Sequence, residues 1–142
     1  MNIHQSFVGC SRYTTRFRRY SNGDLVEFDG VMYNDGGHYL PELNRFVCNT
    51  TGVYYITVNY YDGFKSLYQG VTLNTLTVLH SSHPYAMYNT FSNSRLLKCE
   101  QNDTIMVRAT GNGYLYGSGI PLTTFSVMLI YDEGIFVVFV QE

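Results

Sequence analysis

The stretch VYYITVNYY, residues 53–61, directly follows Gly52 and contains neither glycine nor proline. Because successive side chains of a β-strand point to opposite faces, one face of this stretch would carry only bulky residues: Tyr54, Ile56, Val58 and Tyr60. We expect that face to lie in the hydrophobic core. The stretch therefore predicts a long strand with one buried face.

The composition extends this prediction to the whole chain. Of its 142 residues, 55 are Val, Ile, Thr, Tyr or Phe, which favour strands, whereas only two are Ala and two are Lys, which favour helices. Turn signals recur at short intervals: Asn22-Gly23, residues 34–37, Asp62-Gly63, residues 111–113 and residues 117–119. A chain of this length forms one domain, and many short strands predict a sandwich, a jelly roll or a barrel.

Further segments are predicted as strands. Residues 104–108 and 124–130 are rich in strand-forming residues, and residues 71–73 and 76–78 flank Asn74-Thr75 as the arms of a hairpin would. In the segment 124–130, apolar residues occupy both faces: Phe125, Val127 and Leu129 on one, Met128 and Ile130 on the other. We therefore expect both faces to be buried, the second of them against a neighbouring subunit.

The charge and hydropathy patterns argue against two classes of partner. Nine basic and eleven acidic residues give a net charge of −2, so the chain lacks the positive balance of a nucleic-acid-binding protein. The longest apolar run, Ile135–Val140, has six residues, whereas a membrane-spanning helix needs about 20. The first residues lack the basic and apolar regions of a secretory signal, so we expect a leaderless chain or a mature form given a new Met.

Motifs of catalysis and cofactor binding are absent from the sequence. The patterns HExxH, GxSxG, GxxxxGK and DxDxDG do not occur, so we expect neither enzyme activity nor a cofactor. His80 and His83 are spaced like metal ligands, but two ligands make a poor zinc site, and a polar loop explains them better. The cysteines are either three small core residues or one disulfide pair with an odd thiol: Cys10, Cys48 and Cys99.

Candidate binding residues come from arginine and tyrosine. Four of the nine basic residues fall within eight positions: Arg12, Arg16, Arg18 and Arg19. This cluster indicates either a charged edge strand that resists aggregation or a surface that recognises carboxylate, sulfate or phosphate groups. Tyrosine rings can also stack on sugars and hydrogen-bond to them, and four tyrosines stand in loop-like segments: Tyr85, Tyr88, Tyr114 and Tyr116.

A spaced set of residues resembles a family signature. The set is Phe28, Asn34, Tyr39, Phe46, Gly52 and Tyr54, with Phe125 near the end of the chain. It resembles the signature of the complement component 1q globular-head (gC1q-like) domain, a relative of the tumour-necrosis-factor jelly roll. The resemblance extends over residues 5–131.

The resemblance implies an all-β, ten-stranded jelly-roll β-sandwich that packs as a homotrimer. It also implies a secreted, non-enzymatic recognition protein that binds glycans, microbial surfaces or protein ligands, as in innate immunity. Some relatives bind calcium, although no motif in this sequence supports a calcium site. The alternative is a structural trimer that cements a virion or the extracellular matrix.

The domain is expected to occupy residues 1–131, with residues 132–142 as a C-terminal extension. The extension contains the run Ile135–Val140, whose strong β propensity and lack of charge would promote aggregation if it were exposed. We expect the extension to add a strand to a sheet edge or to pack on a neighbouring subunit.

Overall fold

The computed structural model describes residues 8–36, 38–62, 69–74, 76–81, 89–115 and 117–133. These residues form twelve strands: β1 (Gly9–Tyr13), β2 (Arg18–Tyr20), β3 (Gly30–Asp35), β4 (Tyr39–Leu40), β5 (Arg45–Val47), β6 (Gly52–Asp62), β7 (Gln69–Leu73), β8 (Leu76–Ser81), β9 (Asn89–Cys99), β10 (Thr104–Ala109), β11 (Gly113–Leu115) and β12 (Thr124–Asp132). In the described part of the chain, no helix has the length and apolar character needed to span a membrane.

The strands form two antiparallel sheets that enclose one core. The seven-stranded sheet is connected in the order β2-β11-β6-β12-β1-β3. Strands β11 and β12 both pair with one edge of β6, β11 at Asp62 and β12 along residues 52–59, and β9 pairs with the other edge. The five-stranded sheet has the order β4-β5-β10-β7-β8. The prediction of an all-β jelly-roll sandwich is confirmed. The described strands number twelve rather than ten because the chain adds very short strands at the sheet edges, among them β2 and β4.

Strand β6 confirms the alternation predicted for residues 53–61. Tyr54, Ile56 and Val58 are completely buried, and Tyr60 is 2% exposed. From the opposite sheet, buried residues of β5 and β10 join the same core cluster: Phe46, Ile105 and Val107. All three cysteines are also buried as free thiols, which agrees with the interpretation of Cys10, Cys48 and Cys99 as core residues.

Strand β12 has one buried face and one partly exposed face. Phe125 and Val127 are each 1% exposed and point into the core. On the other face Met128 is half-buried and Ile130 is 52% exposed. Within a single chain, only the face that carries Phe125 and Val127 is buried. The face that carries Met128 and Ile130, which we expected to be buried as well, is partly exposed.

The predicted hairpin at Asn74-Thr75 is confirmed by the pairing of β7 with β8, in which Leu73 lies opposite Leu76. Asn74 adopts φ 54°, a left-handed conformation that asparagine tolerates better than most residues. Its side chain also accepts a hydrogen bond from the Thr104 backbone N–H at 2.9 Å and donates one to Asp103 Oδ1 at 3.0 Å. The hairpin is thereby fastened to the start of β10.

The signature residues are mostly structural. The Phe125 ring lies 5.4 Å from the Phe28 ring and 6.2 Å from the Tyr39 ring, measured between centroids. The Phe46 and Tyr54 rings meet edge-on at 6.0 Å. The Asn34 side chain accepts a hydrogen bond from the Tyr39 backbone N–H at 3.4 Å. These aromatic contacts fill the space between the two sheets.

The described chain ends just after β12. The Glu133 backbone N–H donates to the Thr51 carbonyl oxygen at 3.1 Å, and its carboxylate lies 3.4 Å from Lys98 Nζ. The run Ile135–Val140 lies outside the described residues, so its predicted packing stays a prediction.

Candidate functional site

The main candidate site lies where β2 forms an edge of the seven-stranded sheet. Strand β2 pairs with β11 so that Arg19 lies opposite Tyr114. The neighbouring residues Tyr20 and Leu115 point inward and are buried, so Arg19 and Tyr114 project from the outer face. We call this surface the edge patch and define it as Arg16, Phe17, Arg18, Arg19 and Tyr114.

An aromatic pair forms the apolar part of the edge patch. The Phe17 and Tyr114 rings stack at 5.1 Å between centroids, with only 10° between their planes. Phe17 is 47% exposed, so the pair presents apolar surface to solvent. Sequence reasoning predicted Tyr114 but missed Phe17. The only sequence signal for Phe17 was its position among the four arginines, because the stack joins residues 97 positions apart.

Glu27 organises two of the arginines. Its carboxylate lies 2.5 Å from Arg18 Nη1 and 3.6 Å from Arg16 Nη2. The hydrogen bond with Glu27 raises the pKa of Arg18. Arg18 also lies over the Tyr20 ring, with Cζ 5.1 Å from the ring centroid. These contacts hold Arg18 in place and offset part of the positive charge.

Arg19 is available to a ligand. It is exposed, and no ion pair among the described residues involves it. It lies opposite Tyr114 in the β2–β11 pair, on the same outer face. An exposed guanidinium beside stacked rings combines an anion-binding group with an apolar platform.

The segment before the edge patch is held by Asp29. Its carboxylate accepts hydrogen bonds from the Thr15 backbone N–H at 2.9 Å and from the Thr15 hydroxyl at 2.5 Å. Partial desolvation raises the pKa of Asp29, but the two hydrogen bonds from Thr15 outweigh it, so the pKa is lowered. Gly117 lies against the Arg16 backbone so closely that an added Cβ would overlap the Arg16 carbonyl oxygen. Residues 15–17 are thus fixed from both sides.

Arg12 does not belong to the edge patch, which corrects the sequence-based grouping. It is 3% exposed, its Nε donates to the Phe28 carbonyl oxygen at 2.9 Å, and its Cζ lies 4.5 Å from the centre of the Tyr39 ring. The reason is the alternation of side chains along β1: Cys10 and Arg12 are buried, whereas Ser11 and Tyr13 are partly exposed, so Arg12 points into the core. The structure does bring together the other predicted residues of this group: Arg16, Arg18, Arg19 and Tyr114.

The remaining candidates fall largely outside the described part of the chain. Tyr85, Tyr88, Tyr116 and His83 are not described, and His80 belongs to β8 rather than to a loop. Within the described ranges, no group of three or more His, Cys, Asp or Glu side chains could hold a metal ion. Those residues therefore offer no carboxylate cluster for the calcium that the family resemblance allows.

A second surface feature is a shallow groove of about 320 Å³ on the outer face of the seven-stranded sheet. Residues of β1, β3, β6 and β12 line it, including Ser11, Tyr33, Tyr55, Thr57, Ser126 and Met128. The hydroxyl oxygens of Ser11 and Ser126 are 2.9 Å apart, so they satisfy each other and leave the groove mainly apolar. Such a surface favours contact with another apolar surface.

Comparisons with known proteins agree with this architecture. Residues 10–130 match the sequence model of the C1q domain. Human complement C1q and tumor necrosis factor-related protein 9B is 26% identical over 125 residues, which cover 84% of this chain and 37% of that protein. One of the subunits of mouse complement C1q is 27% identical over 131 residues, covering 92% of this chain and 52% of that protein. The chain thus spans about two-fifths to one-half of the length of these curated relatives.

Solved structures show the same fold. The structure of Eiger TNF from S. frugiperda superposes with a TM-score of 0.70 at 16% identity, covering 90% of this chain and 95% of that one. The globular domain of zebrafish complement 1qA protein gives a TM-score of 0.66 at 17% identity, covering 90% and 99%. Because the C1q sequence model matches most of the chain, this protein belongs to the C1q domain family.

Proposed function

We propose that this chain is a non-enzymatic, homotrimeric recognition protein that binds acidic glycans through the edge patch. The observation that carries the proposal is the exposed Arg19 beside the stacked Phe17 and Tyr114 rings. Aromatic faces suit the apolar faces of sugar rings, and guanidinium groups suit sulfate and carboxylate groups. A sulfated or carboxylated glycan on a microbial or extracellular surface matches both halves of the patch.

The proposed setting is extracellular, as in innate immunity. Membership of the C1q domain family and the likeness to a complement C1q chain support this setting. A virion-associated position is the alternative. Either setting places the edge patch where glycans of cell surfaces are available.

The outer face of the seven-stranded sheet supports the homotrimer. Its strands β3, β9 and β12 expose large apolar side chains, including Met32 at 58%, Leu96 at 58% and Ile130 at 52%, and the face also carries the groove lined by β1, β3, β6 and β12. A second copy of this chain is the occupant we propose, because an apolar face of this kind is usually covered in the working protein. The edge patch lies on β2 and β11 at one end of this sheet.

Binding to a glycan array tests the recognition role. We expect the full chain to bind sulfated or carboxylated glycans more strongly than their neutral parents, with binding that weakens as salt is raised. Arg19→Ala and Tyr114→Ala should each reduce binding at least tenfold. Arg45→Ala is the matched control, because Arg45 lies on β5 in the other sheet, and it should leave binding unchanged.

Two results would count against the edge patch. Equal binding of acidic and neutral glycans would show that the arginines do not contribute to recognition. Equal loss in Arg45→Ala would show that net charge alone governs binding. A chain that forms trimers but binds no glycan would instead favour the structural alternative, in which the trimer cements a virion or matrix.

Sedimentation equilibrium tests the homotrimer. We expect a mass three times the 16.3 kDa of the chain at micromolar concentration. Ile130→Glu places a charge on the outer face and should shift the mass toward that of a monomer. Leu43→Glu is the matched control, because Leu43 is 50% exposed in the turn before β5, away from that face. A monomer in the unmodified protein contradicts the proposal.

A further inference from the structure

Two of the three buried cysteines lie close together in the core, where the two sheets are joined. Cys48 follows β5 of the five-stranded sheet, and Cys99 ends β9 of the seven-stranded sheet. Both residues are completely buried in one core cluster, and the neighbouring Cys99 side chain raises the pKa of the Cys48 thiol. The third cysteine, Cys10, stands apart on β1, opposite Val127.

Backbone hydrogen bonds fix the positions of both thiols. The Cys48 backbone N–H donates to the Asp103 carbonyl oxygen at 2.8 Å, and the Cys48 carbonyl oxygen accepts from the Asn102 N–H at 2.7 Å. Cys99 is paired with Gly52 at the start of β6. The segments that carry the two thiols, residues 48–52 and 99–103, are therefore tied together at both ends.

We propose that Cys48 and Cys99 form a disulfide under oxidising conditions, which clamps the two sheets together, while Cys10 stays a free thiol. The observation that carries the proposal is the backbone frame, in which residues 48–52 pair with residues 99–103 at both ends and place both buried thiols in one core cluster. A disulfide requires two cysteines whose Cα atoms lie within about 7 Å, and such a frame holds the two segments close together. Oxidising surroundings outside cells are also where such bonds persist.

The step requires an oxidant, and a low-molecular-weight disulfide such as oxidised glutathione supplies it. One cysteine thiolate attacks a sulfur of the oxidant, which releases one reduced thiol and leaves a mixed disulfide. The second cysteine thiolate attacks the protein sulfur of that mixed disulfide and releases the second reduced thiol. The two protons and two electrons lost by Cys48 and Cys99 end on the two released thiols.

The buried position of the pair decides when the bond forms. The hydrogen bond with Cys99 and burial raise the pKa of the Cys48 thiol, so the reactive thiolate is scarce in the folded chain. We therefore expect oxidation during folding or during transient opening. Once closed, the bond lies out of reach of reductants in solution.

The experiment refolds the full chain in a buffer of reduced and oxidised glutathione and counts thiols by alkylation in denaturant. We expect one alkylated thiol in the oxidised protein against three after full reduction. A non-reduced digest should contain one linked pair of peptides that carry Cys48 and Cys99. The oxidised protein should melt about 10 °C higher than the reduced protein, since the bond closes a loop of about 50 residues.

Three variants serve as matched controls. Cys10→Ala keeps the pair and should give zero free thiols after oxidation and the same rise in melting temperature. Cys48→Ser and Cys99→Ser should each lose that rise. Three free thiols after refolding, or a cross-link that contains Cys10, would overturn the proposal. If a variant folds poorly, the thiol count on the unmodified chain still tests whether the disulfide forms.

Discussion

The Arg12 guanidinium lies over the Tyr39 ring, with Cζ 4.5 Å from the ring centroid, inside the core. Its Nε also donates to the Phe28 carbonyl oxygen at 2.9 Å. A buried cation is costly unless such contacts replace its hydration. Arg12 therefore works as a core residue that joins β1 to the segment before β3.

Replacing Arg12 tests this assignment. We expect Arg12→Ala to lower the free energy of unfolding by about 2–4 kcal/mol, because it removes the packing of the side chain, the cation–π contact and the hydrogen bond. Arg19→Ala is the control and should change stability by less than about 0.5 kcal/mol, since Arg19 is exposed. Urea denaturation measures both. Equal effects would mean that Arg12 is not held as described.

Tyr54 allows packing and hydrogen bonding to be separated. The side chain is completely buried, and its hydroxyl donates to the Thr50 carbonyl oxygen at 2.7 Å. Tyr54→Ala should cost about 3–5 kcal/mol of stability, because it leaves a cavity against Phe46. Tyr54→Phe keeps the ring and should cost about 1 kcal/mol. If both variants lose the same amount, the hydrogen bond rather than the ring governs stability here.

Gly52 is required by a close backbone approach. A Cβ at this position would overlap the Tyr131 carbonyl oxygen across the β6–β12 pair. We expect Gly52→Ala to destabilise the domain by about 1–3 kcal/mol, because backbone cannot move aside as a side chain can. Gly119→Ala is the matched control, since its added Cβ meets nothing within 4 Å. Thermal melting of both variants measures the difference, and equal melting temperatures would contradict the close approach.

The alternation in residues 53–61 predicted β6 because a strand inside a sandwich must bury every second side chain. The aromatic signature predicted which rings meet in the core. The grouping of the arginines failed for Arg12 because Arg12 lies on the buried face of β1, whereas Arg19 lies on the outer face of β2. Which face of β1 points inward depends on its pairing with β12 and β3, and the spacing within the arginine cluster does not contain that information.

Long-range contacts escaped the sequence for the same reason. Phe17 meets Tyr114, and Cys48 meets Cys99, only after the sheets have closed. Three cysteines allow three pairings, and nothing in their spacing selects one. The parts of the candidate site that sequence predicted were therefore the local ones, namely Arg16, Arg18 and Arg19, together with Tyr114 from its position near a glycine-rich turn.

Cys10 gives the stability a dependence on alkaline pH. Burial raises the pKa of its thiol to about 12. In the unfolded chain the thiol loses its proton near pH 8.5, so the folded state binds the proton more tightly. This contribution to stability is complete below about pH 8.5 and declines as pH rises toward about 12.

Urea denaturation of the reduced protein between about pH 8 and pH 11 measures this decline. Cys10→Ala should show a shallower loss of stability over that range. Tyr20, Tyr39 and Tyr54 also have raised pKa values. All three are present in both proteins, so their contributions to the pH dependence cancel in the comparison. Identical slopes in the two proteins would exclude Cys10 as a contributor.

The C-terminal extension provides the last prediction. Ile135–Val140 combines strong β propensity with no charge, and such a run is safe only when it is covered. We expect deletion of residues 134–142 to lower the melting temperature or cause aggregation. This deletion keeps Glu133, whose backbone bonds to Thr51 and whose carboxylate pairs with Lys98, so the end of β12 stays intact.

A second variant separates burial of the extension from its length. Val138→Lys keeps every other residue but places a charge in the middle of the run. If the run is buried, this variant should destabilise the protein, because an unpaired lysine cannot be buried without cost. Glu142→Lys changes the charge by a larger amount outside the run and should have little effect. Amide hydrogen exchange across residues 135–140 should be slow in the intact protein. Fast exchange there, together with a truncated chain that is equally stable, would show that the extension is a dispensable tail.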